Sequence, residues 1–404
     1  MKKLLLATLV STLSVGAAQA EGPTLYGKIN ASVDSTKNDL NTKRNITVDS
    51  NASRFGIKGS ESLNDNLSAI YGIEWGVVID HSGAGNTSTD TPASGGTTEL
   101  NARNRFIGLQ YKDVGAIKVG RLDSNFKTLQ GINPATGIDI FDDYVNGNLD
   151  MTQTLAGENR VDNVISFESA KFETGFGALA ANFQIMPSEK TLPQGTVGKT
   201  TGVTATSSSV WFTNKDLGIY TGVAYDSNQT DVWNAGNGVA GVGTFYKFGN
   251  DVTTQKVAKA TTNAIRWVGS ADLGKMVGAE GVTLNALVQQ SKVTNLASGA
   301  TAPKESAYLL SAVYKFPASI ADGLSAKLQW QSAKTSDLGA NLSDVKIDQI
   351  GADVDYAFSA KTKVFGFIAQ RTIKNPNNTQ AGIINGYDTN YKYNVFGLGM
   401  EQKF

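Results

Sequence analysis

The chain predicts an all-β fold, a transmembrane antiparallel β-barrel of sixteen strands. Segments of roughly ten residues alternate between apolar and polar side chains, the length and pattern of a tilted membrane-crossing strand. Beyond residue 20 no apolar run approaches the length of a membrane helix. Short links between the segments alternate with long ones, as in barrels with short turns at one end and long loops at the other. Glycine is abundant at 43 residues and proline scarce at 8, which suits many strands joined by polar loops.

The first residues stand apart. Lys2 and Lys3 precede an apolar run from Leu4 to Val15, broken only by Thr and Ser, and Ala18-Gln19-Ala20 follows. A basic start, a short apolar stretch and a small-x-small site read as a secretory leader over residues 1–20, cleaved after Ala20. Residues 21–404 then form a single barrel domain.

TLYGKINASVD (24–34) places Leu25, Gly27, Ile29, Ala31 and Val33 on one face, and Tyr26, Lys28, Asn30, Ser32 and Asp34 on the other. A period of two with one apolar and one polar face describes a strand between lipid and water. LSAKLQW repeats it, with Leu324, Ala326, Leu328 and Trp330 opposite Ser325, Lys327 and Gln329. So does QIGADVDYAF, where Ile350, Ala352, Val354, Tyr356 and Phe358 oppose Gly351, Asp353 and Asp355. The sixteen predicted strands are 24–34, 52–61, 67–79, 103–112, 115–121, 160–171, 176–186, 205–214, 217–226, 260–271, 282–292, 306–315, 324–332, 346–358, 363–372 and 392–404. Short links (62–66, 113–114, 172–175, 215–216, 317–323, 359–362) alternate with long ones (35–51, 80–102, 122–159, 187–204, 227–259, 373–391). An even strand number places both ends on the short-turn, periplasmic side. In lipid every backbone polar group must be paired within the protein, so strands cross only as a closed barrel. Sixteen strands leave a water channel, and the inward polar faces are expected to meet water rather than a packed core.

Composition excludes several kinds of chemistry. Without Lys2 and Lys3, 34 basic side chains face 36 acidic ones, which argues against a nucleic-acid partner. The absence of cysteine removes disulfides, thiolate metal sites and thiol catalysis, and a single histidine, His81, rules out a histidine-rich metal centre. No metal, cofactor or catalytic residue is expected. Gly198-Lys199-Thr200 resembles the end of a phosphate loop, but Pro193 stands where that loop needs glycine. Gly236, Gly238, Gly241 and Gly243 miss the dinucleotide spacing. His81 enters a polar loop with no nucleophile elbow nearby, and Trp75, Trp211, Trp267 and Trp330 suit interfacial aromatic girdles.

Several segments resemble the general, nonspecific porins of Gram-negative outer membranes. TLYGKINASVD is similar to that family's first strand, and Ser53-Arg54-Phe55-Gly56-Ile57-Lys58-Gly59-Ser60-Glu61 to its second, followed by Ile73-Glu74-Trp75. Phe106 to Arg121 resembles the family hairpin ending in Gly-Arg, and Arg160 to Phe167 the strand that leaves the long third loop. Phe404, preceded at alternate positions by Gln402, Met400, Leu398 and Phe396, resembles the signal read by the outer-membrane assembly machinery; Gln402 departs from the usual apolar choice.

The resemblance implies a homotrimer in contact with outer-membrane lipid and lipopolysaccharide. It also implies that the long third loop, 122–159, folds into the lumen as a constriction for small hydrophilic solutes and ions. Asp139, Asp142 and Asp143 on that loop, which also carries Asp150, are expected to face a basic wall. Arg54 and Arg160 match the family's wall arginines, Lys58 and Lys118 join them, and a fourth-strand arginine is either Arg103 or Arg105. The implied function is passive diffusion through a charged aperture, where opposed charges orient polar solutes. A substrate-specific channel of the same fold is the alternative. A barrel enzyme would depend on His81 alone, and an adhesin would need a large extra domain that the loop lengths do not supply.

Overall fold

The computed structural model describes residues 22–39, 43–79, 100–143, 150, 155–187, 205–235, 245–246, 256–294, 302–337, 344–374 and 391–404. The leader, His81, Lys199 and the four glycines at 236–243 lie outside the described residues.

Nineteen strands form one antiparallel sheet among the described residues. They are β1 (Thr24–Asn38), β2 (Asn45–Ser50), β3 (Arg54–Ser62), β4 (Leu67–Val77), β5 (Leu100–Tyr111), β6 (Gly115–Asp123), β7 (Arg160–Ser169), β8 (Phe172–Thr174), β9 (Gly177–Met186) and β10 (Ala205–Asn214). Next come β11 (Ile219–Ala235), β12 (Phe245–Tyr246), β13 (Lys256–Asp272), β14 (Val282–Val293) and β15 (Lys304–Lys315). The last are β16 (Leu324–Ser336), β17 (Val345–Ala357), β18 (Thr362–Lys374) and β19 (Tyr391–Lys403). β2 with β3, and β7 with β8, each make one interrupted stave, and β12 is a two-residue addition to the top of β11. Sixteen staves remain, as the alternation predicts.

The barrel closes where β1 pairs with β19, from Lys28 opposite Lys403 to Asn38 opposite Tyr393. Two backbone bonds seal the end: Gly27 donates to the Phe404 carbonyl at 3.2 Å, and Phe404 donates back at 3.1 Å. A side chain at Gly27 would meet the Phe404 ring at 2.5 Å, so glycine there seats the aromatic.

Boundaries differ from the sequence reading where strands rise beyond the apolar band. Much of the expected loop 35–51 is strand, because β1 continues to Asn38 and pairs with β2. One extra residue within Asn51-Ala52-Ser53 separates β2 from β3, with Ala52 at φ 50°. Likewise β11 and β13 climb far into the expected loop 227–259. Backbone pairing continues along β1, β11 and β13 after the side-chain alternation stops, whereas β2 keeps it, with Ile46 and Val48 outward between Asn45, Thr47 and Asp49.

The outer face is apolar, with Ile107, Leu328, Ile350, Ile368 and Leu398 all more than half exposed. Phe396, Leu398, Met400 and Phe404 form one outward row on β19. Trp267 and Trp330 face outward as expected, and Trp75 stacks on Phe55 at 5.3 Å. Trp211 does not join them, because it faces inward and packs beneath the third loop.

The inner face departs from expectation over half its circumference. From β11 to β19 the inward positions carry Ala224, Ala264, Val268, Leu287, Leu309, Val313, Phe365, Phe367 and Val395, all buried. They contact protein rather than water, because the third loop lies across them. A wall covered by chain is dry, so the Val, Leu and Phe side chains there contribute about 1.5–3 kcal/mol each when fully buried, and the alanines less.

Candidate functional site

The third loop leaves β6 at Asp123 and turns at once into the barrel. Ser124 caps the short helix α1 (Asn125–Thr128), accepting a hydrogen bond from the Lys127 amide at 3.1 Å. The loop then follows the inner wall strand by strand. The Asn125 amide donates to the Ser207 carbonyl on β10, and Asn133 to Ser270 on β13. Ser311 on β15 donates to the Ile138 carbonyl, and the Ile140 amide donates to Gln329 on β16. Phe126, Ile138 and Phe141, all at 0% exposure, fill the space between these bonds. Phe141 lies against Gly351, where a Cβ would meet its ring at 2.6 Å, and edge-on to Phe367 at 6.4 Å.

The returning limb, Leu155 to Asn159, is held by a buried polar network. Arg266 of β13, at 0% exposure, pairs with Glu158 at 2.5 Å, donates twice to Gln289 at 2.8 and 2.6 Å, and sits over the Phe126 ring at 4.4 Å. Gln289 donates to the Ala156 carbonyl at 2.8 Å, and Glu305 accepts from the Ala156 amide at 3.1 Å. Both limbs are thus fixed to the wall.

This path delivers the loop tip to the opposite, charged wall. Asp143 lies 2.5 Å from Lys28 on β1 and 3.3 Å from Arg54 on β3. Lys28 and Arg54 are cross-strand partners, and Lys28 also pairs with Glu401 of β19 at 3.2 Å. Burial inside the barrel opposes ionisation of Asp143, but Lys28 and Arg54 outweigh it and hold the carboxyl well below its usual range. Asp142 makes no ion pair among the described residues. Its side chain is exposed to the lumen, and the surrounding protein with the carboxylates of Asp143, Asp139 and Glu158 outweighs Lys127 and pushes it up to about 7. Asp139 is anchored rather than free, accepting from the Phe141 amide at 2.8 Å and from Gln329 at 2.6 Å.

The remaining expected wall residues occupy other levels. Lys58 lies 5.3 Å from the Tyr26 ring, and Lys118 pairs with Glu168 at 2.5 Å towards the short-turn end of β6 and β7. Arg160 is buried at the neck of the loop, 3.1 Å from Asp123, with Asn104 accepting from its Nε at 3.1 Å. Arg103 and Arg105 separate across a bulge opposite Ile73 and Trp75. The extra residue turns Arg103 inward, 2.5 Å from Glu74, and leaves Arg105 outside, 5.6 Å from the Trp75 ring.

Eight charged residues of this assembly were not singled out from the sequence as site residues: Lys28, Glu74, Asp123, Glu158, Glu168, Arg266, Glu305 and Glu401. Lys28 already stood on the polar face of the first strand. Arg266 had the same signal, a charge in phase between Ile265 and Trp267.

Residues 6–377 match the sequence profile of a family described as Gram-negative porin. An outer membrane porin of Bordetella pertussis is 30% identical over 194 residues, 44% of this chain and 46% of that one. The major outer membrane protein P.IB of Neisseria meningitidis is 34% identical over 143 residues, 33% of this chain and 38% of that one. The aligned part thus spans less than half the length of either relative. An anion-selective porin from Comamonas acidovorans superposes with a TM-score of 0.62 at 18% identity, covering 95% of this chain and 99% of that one.

Proposed function

Because the chain belongs to the Gram-negative porin family, whose curated relatives are outer-membrane proteins, we propose that it forms a water-filled channel through which small hydrophilic solutes and ions diffuse passively. The carrying observation is Asp143, on a loop folded inside a closed barrel, held between Lys28 and Arg54 of the far wall. Acids on the loop and bases on the wall set a transverse field across the aperture. Guanidinium and ammonium groups keep that field present at neutral pH. No energy source or covalent step is needed, and no residue is assigned a catalytic role. In this reading Arg54, with Lys28 and Arg103, makes the basic wall. Asp142 and Asp143 make the acidic edge, Asp139 fixes the tip, and Lys58 attracts anions nearer the short-turn mouth, where Lys118 is paired with Glu168.

Residues 1–20 are the cleaved leader, the working unit is a homotrimer, and the outward row ending at Phe404 is read by the assembly machinery. Single-channel recording in planar bilayers under a salt gradient tests the central reading. Discrete conductance steps with a reversal potential that responds to Arg54→Ala support it. An electrically silent, correctly folded protein overturns it.

A further inference from the structure

We propose that Asp34, Asp49 and Asn51, on the lumen side of the seam where the barrel closes, form a binding site for a divalent cation, calcium in chemistry. The site is separate from the loop tip and independent of what the channel conducts. Val33 and Val48 point outward from β1 and β2, so Ser32, Asp34, Thr47 and Asp49 point inward. Asp34 stands opposite Thr47 and Ser32 opposite Asp49, which makes the two aspartates diagonal neighbours. Their carboxyl groups come within hydrogen-bond reach of each other. Ser32 links the set, since it hydrogen-bonds Asp34 and its hydroxyl accepts from Asn51 Nδ2 at 2.9 Å. Asn51 is in phase with Asp49 and follows directly on the end of β2.

What points to a ligand is a set of oxygens left without donors. Asp34 is 1% exposed and Asn51 0%. Asp34 Oδ1 and Asn51 Oδ1 are both buried with no hydrogen-bond partner among the described residues. The Thr47 hydroxyl donates to Asp49 at 2.7 Å, but neither aspartate has an ion-pair partner among those residues. Bases in this part of the wall are committed elsewhere. Lys28, on the same face of β1, holds Asp143 and Glu401, and Arg371 of β18 donates to Gln349 at 2.8 Å.

Two carboxylates in contact, one of them sealed from water, repel unless a proton or a cation lies between them. A shared proton would leave the Asn51 oxygen unused. A water molecule would donate to the orphan oxygens and leave the like charges uncompensated. A cation answers both demands. Two carboxylates, an amide oxygen and a hydroxyl are all hard oxygen donors, the set that calcium takes, with lumen water reaching the half-buried Asp49 to complete six to eight ligands. The wall also makes room for the carboxylate. Gly397 of β19 faces Asp34, and a Cβ there would run into Asp34 Oδ1 and the Phe367 ring. A bound ion would tie β2 and the turn into β3 to β1, beside its seam with β19.

The test uses the full purified protein, stripped with a chelator and titrated with calcium chloride by calorimetry, with thermal unfolding followed in parallel. The expected result is one calcium per chain and a raised unfolding midpoint, which sodium chloride of equal ionic strength does not reproduce. Asp34→Asn should weaken binding by about tenfold or more, because ligand charge sets affinity at such sites. Its calcium-free form should melt no lower than wild type, since the repulsion has gone, which separates a lost site from a lost fold. Asn51→Asp adds a third carboxylate and should tighten binding several-fold. Wild-type protein that takes up no calcium overturns the site, as does calcium binding unchanged in Asp34→Asn or in Asn51→Asp. So does a midpoint that follows pH but not calcium, which identifies a shared proton, or one that sodium chloride raises equally, which identifies screening.

Discussion

Arg266 and Glu158 form an ion pair inside the barrel, 2.5 Å long and almost wholly sealed from solvent, between a wall strand and the returning limb of the loop. The neutral hydrogen bonds along the rest of the loop are worth about 0.5–1.5 kcal/mol each. Removing one member of a buried pair costs more, about 3–5 kcal/mol, because the other charge is left uncompensated. Glu158→Gln should therefore lower the urea midpoint and increase open-channel noise, although neither residue touches the aperture. Adding Arg266→Met should recover much of the stability by removing the stranded charge. A double variant as unstable as the sum of the two singles would show that the pair does not hold the loop.

Gly351 offers a purely steric test. A Cβ there meets the Phe141 ring at 2.6 Å, and Phe141 immediately precedes Asp142 and Asp143. Gly351→Val should push Phe141 off the wall and shift the loop tip without altering any charge. Single-channel conductance should change while expression and barrel assembly stay close to wild type. Unchanged conductance would mean that the tip position is set elsewhere.

Legibility in the sequence follows what each side chain meets. The strands that cross lipid were readable because lipid and lumen impose opposite demands on alternate positions, as in 24–34 and 349–358. The upper parts of β1, β11 and β13 carry no regular alternation to read, whereas β2 does alternate, with Ile46 and Val48 outward between Asn45, Thr47 and Asp49, and is too short to stand out from the loop around it. Arg54 and Asp143 could be named in advance, one by strand parity and motif and one by its place on the longest loop. Their contact, and the choice of Asp143 rather than Asp139, depend on how far round the wall the loop runs. That length is set by Phe126, Ile138 and Phe141 finding apolar partners on β11 to β19. Those wall residues look like ordinary strand positions until the loop that covers them is placed. The bulge in β5 is likewise invisible in a strict period of two, which is why Arg103 and Arg105 could not be separated by parity.

Asp142 makes the aperture sensitive to pH near neutrality. With its carboxyl pushed up to about 7, the group is mainly charged at pH 8 and mainly protonated at pH 6. Lowering the pH across that interval removes one negative charge from the lumen, so the reversal potential should move towards anion preference. Asp143 stays ionised throughout, because its pKa is displaced downward. Asp142→Asn should abolish the shift and hold the channel at its low-pH value. A wild-type shift that survives in Asp142→Asn would assign the titration to another group.

The contact of Asp143 with Lys28 and Arg54 predicts opposite effects from opposite substitutions. Fixed charge in an aperture sets local ion concentration within about a Debye length, ~8 Å at physiological salt. Arg54 has Asp143 as its ion-pair partner, whereas Lys28 is shared between Asp143 and Glu401. Arg54→Ala should therefore leave Asp143 partly held by Lys28, lower the local positive charge and shift the reversal potential towards cations. Asp143→Asn should free Arg54, leave Lys28 to Glu401 alone, and shift it towards anions by a comparable amount. Arg160→Ala should behave differently, because that side chain is committed to Asp123 at the loop neck. Its loss should lower stability more than it alters selectivity. Reversal potentials from matched salt gradients separate these cases. If Arg160→Ala moves selectivity as far as Arg54→Ala, the field is not concentrated at the loop tip. If Arg54→Ala and Asp143→Asn shift in the same direction, the contact does not lie in the ion path.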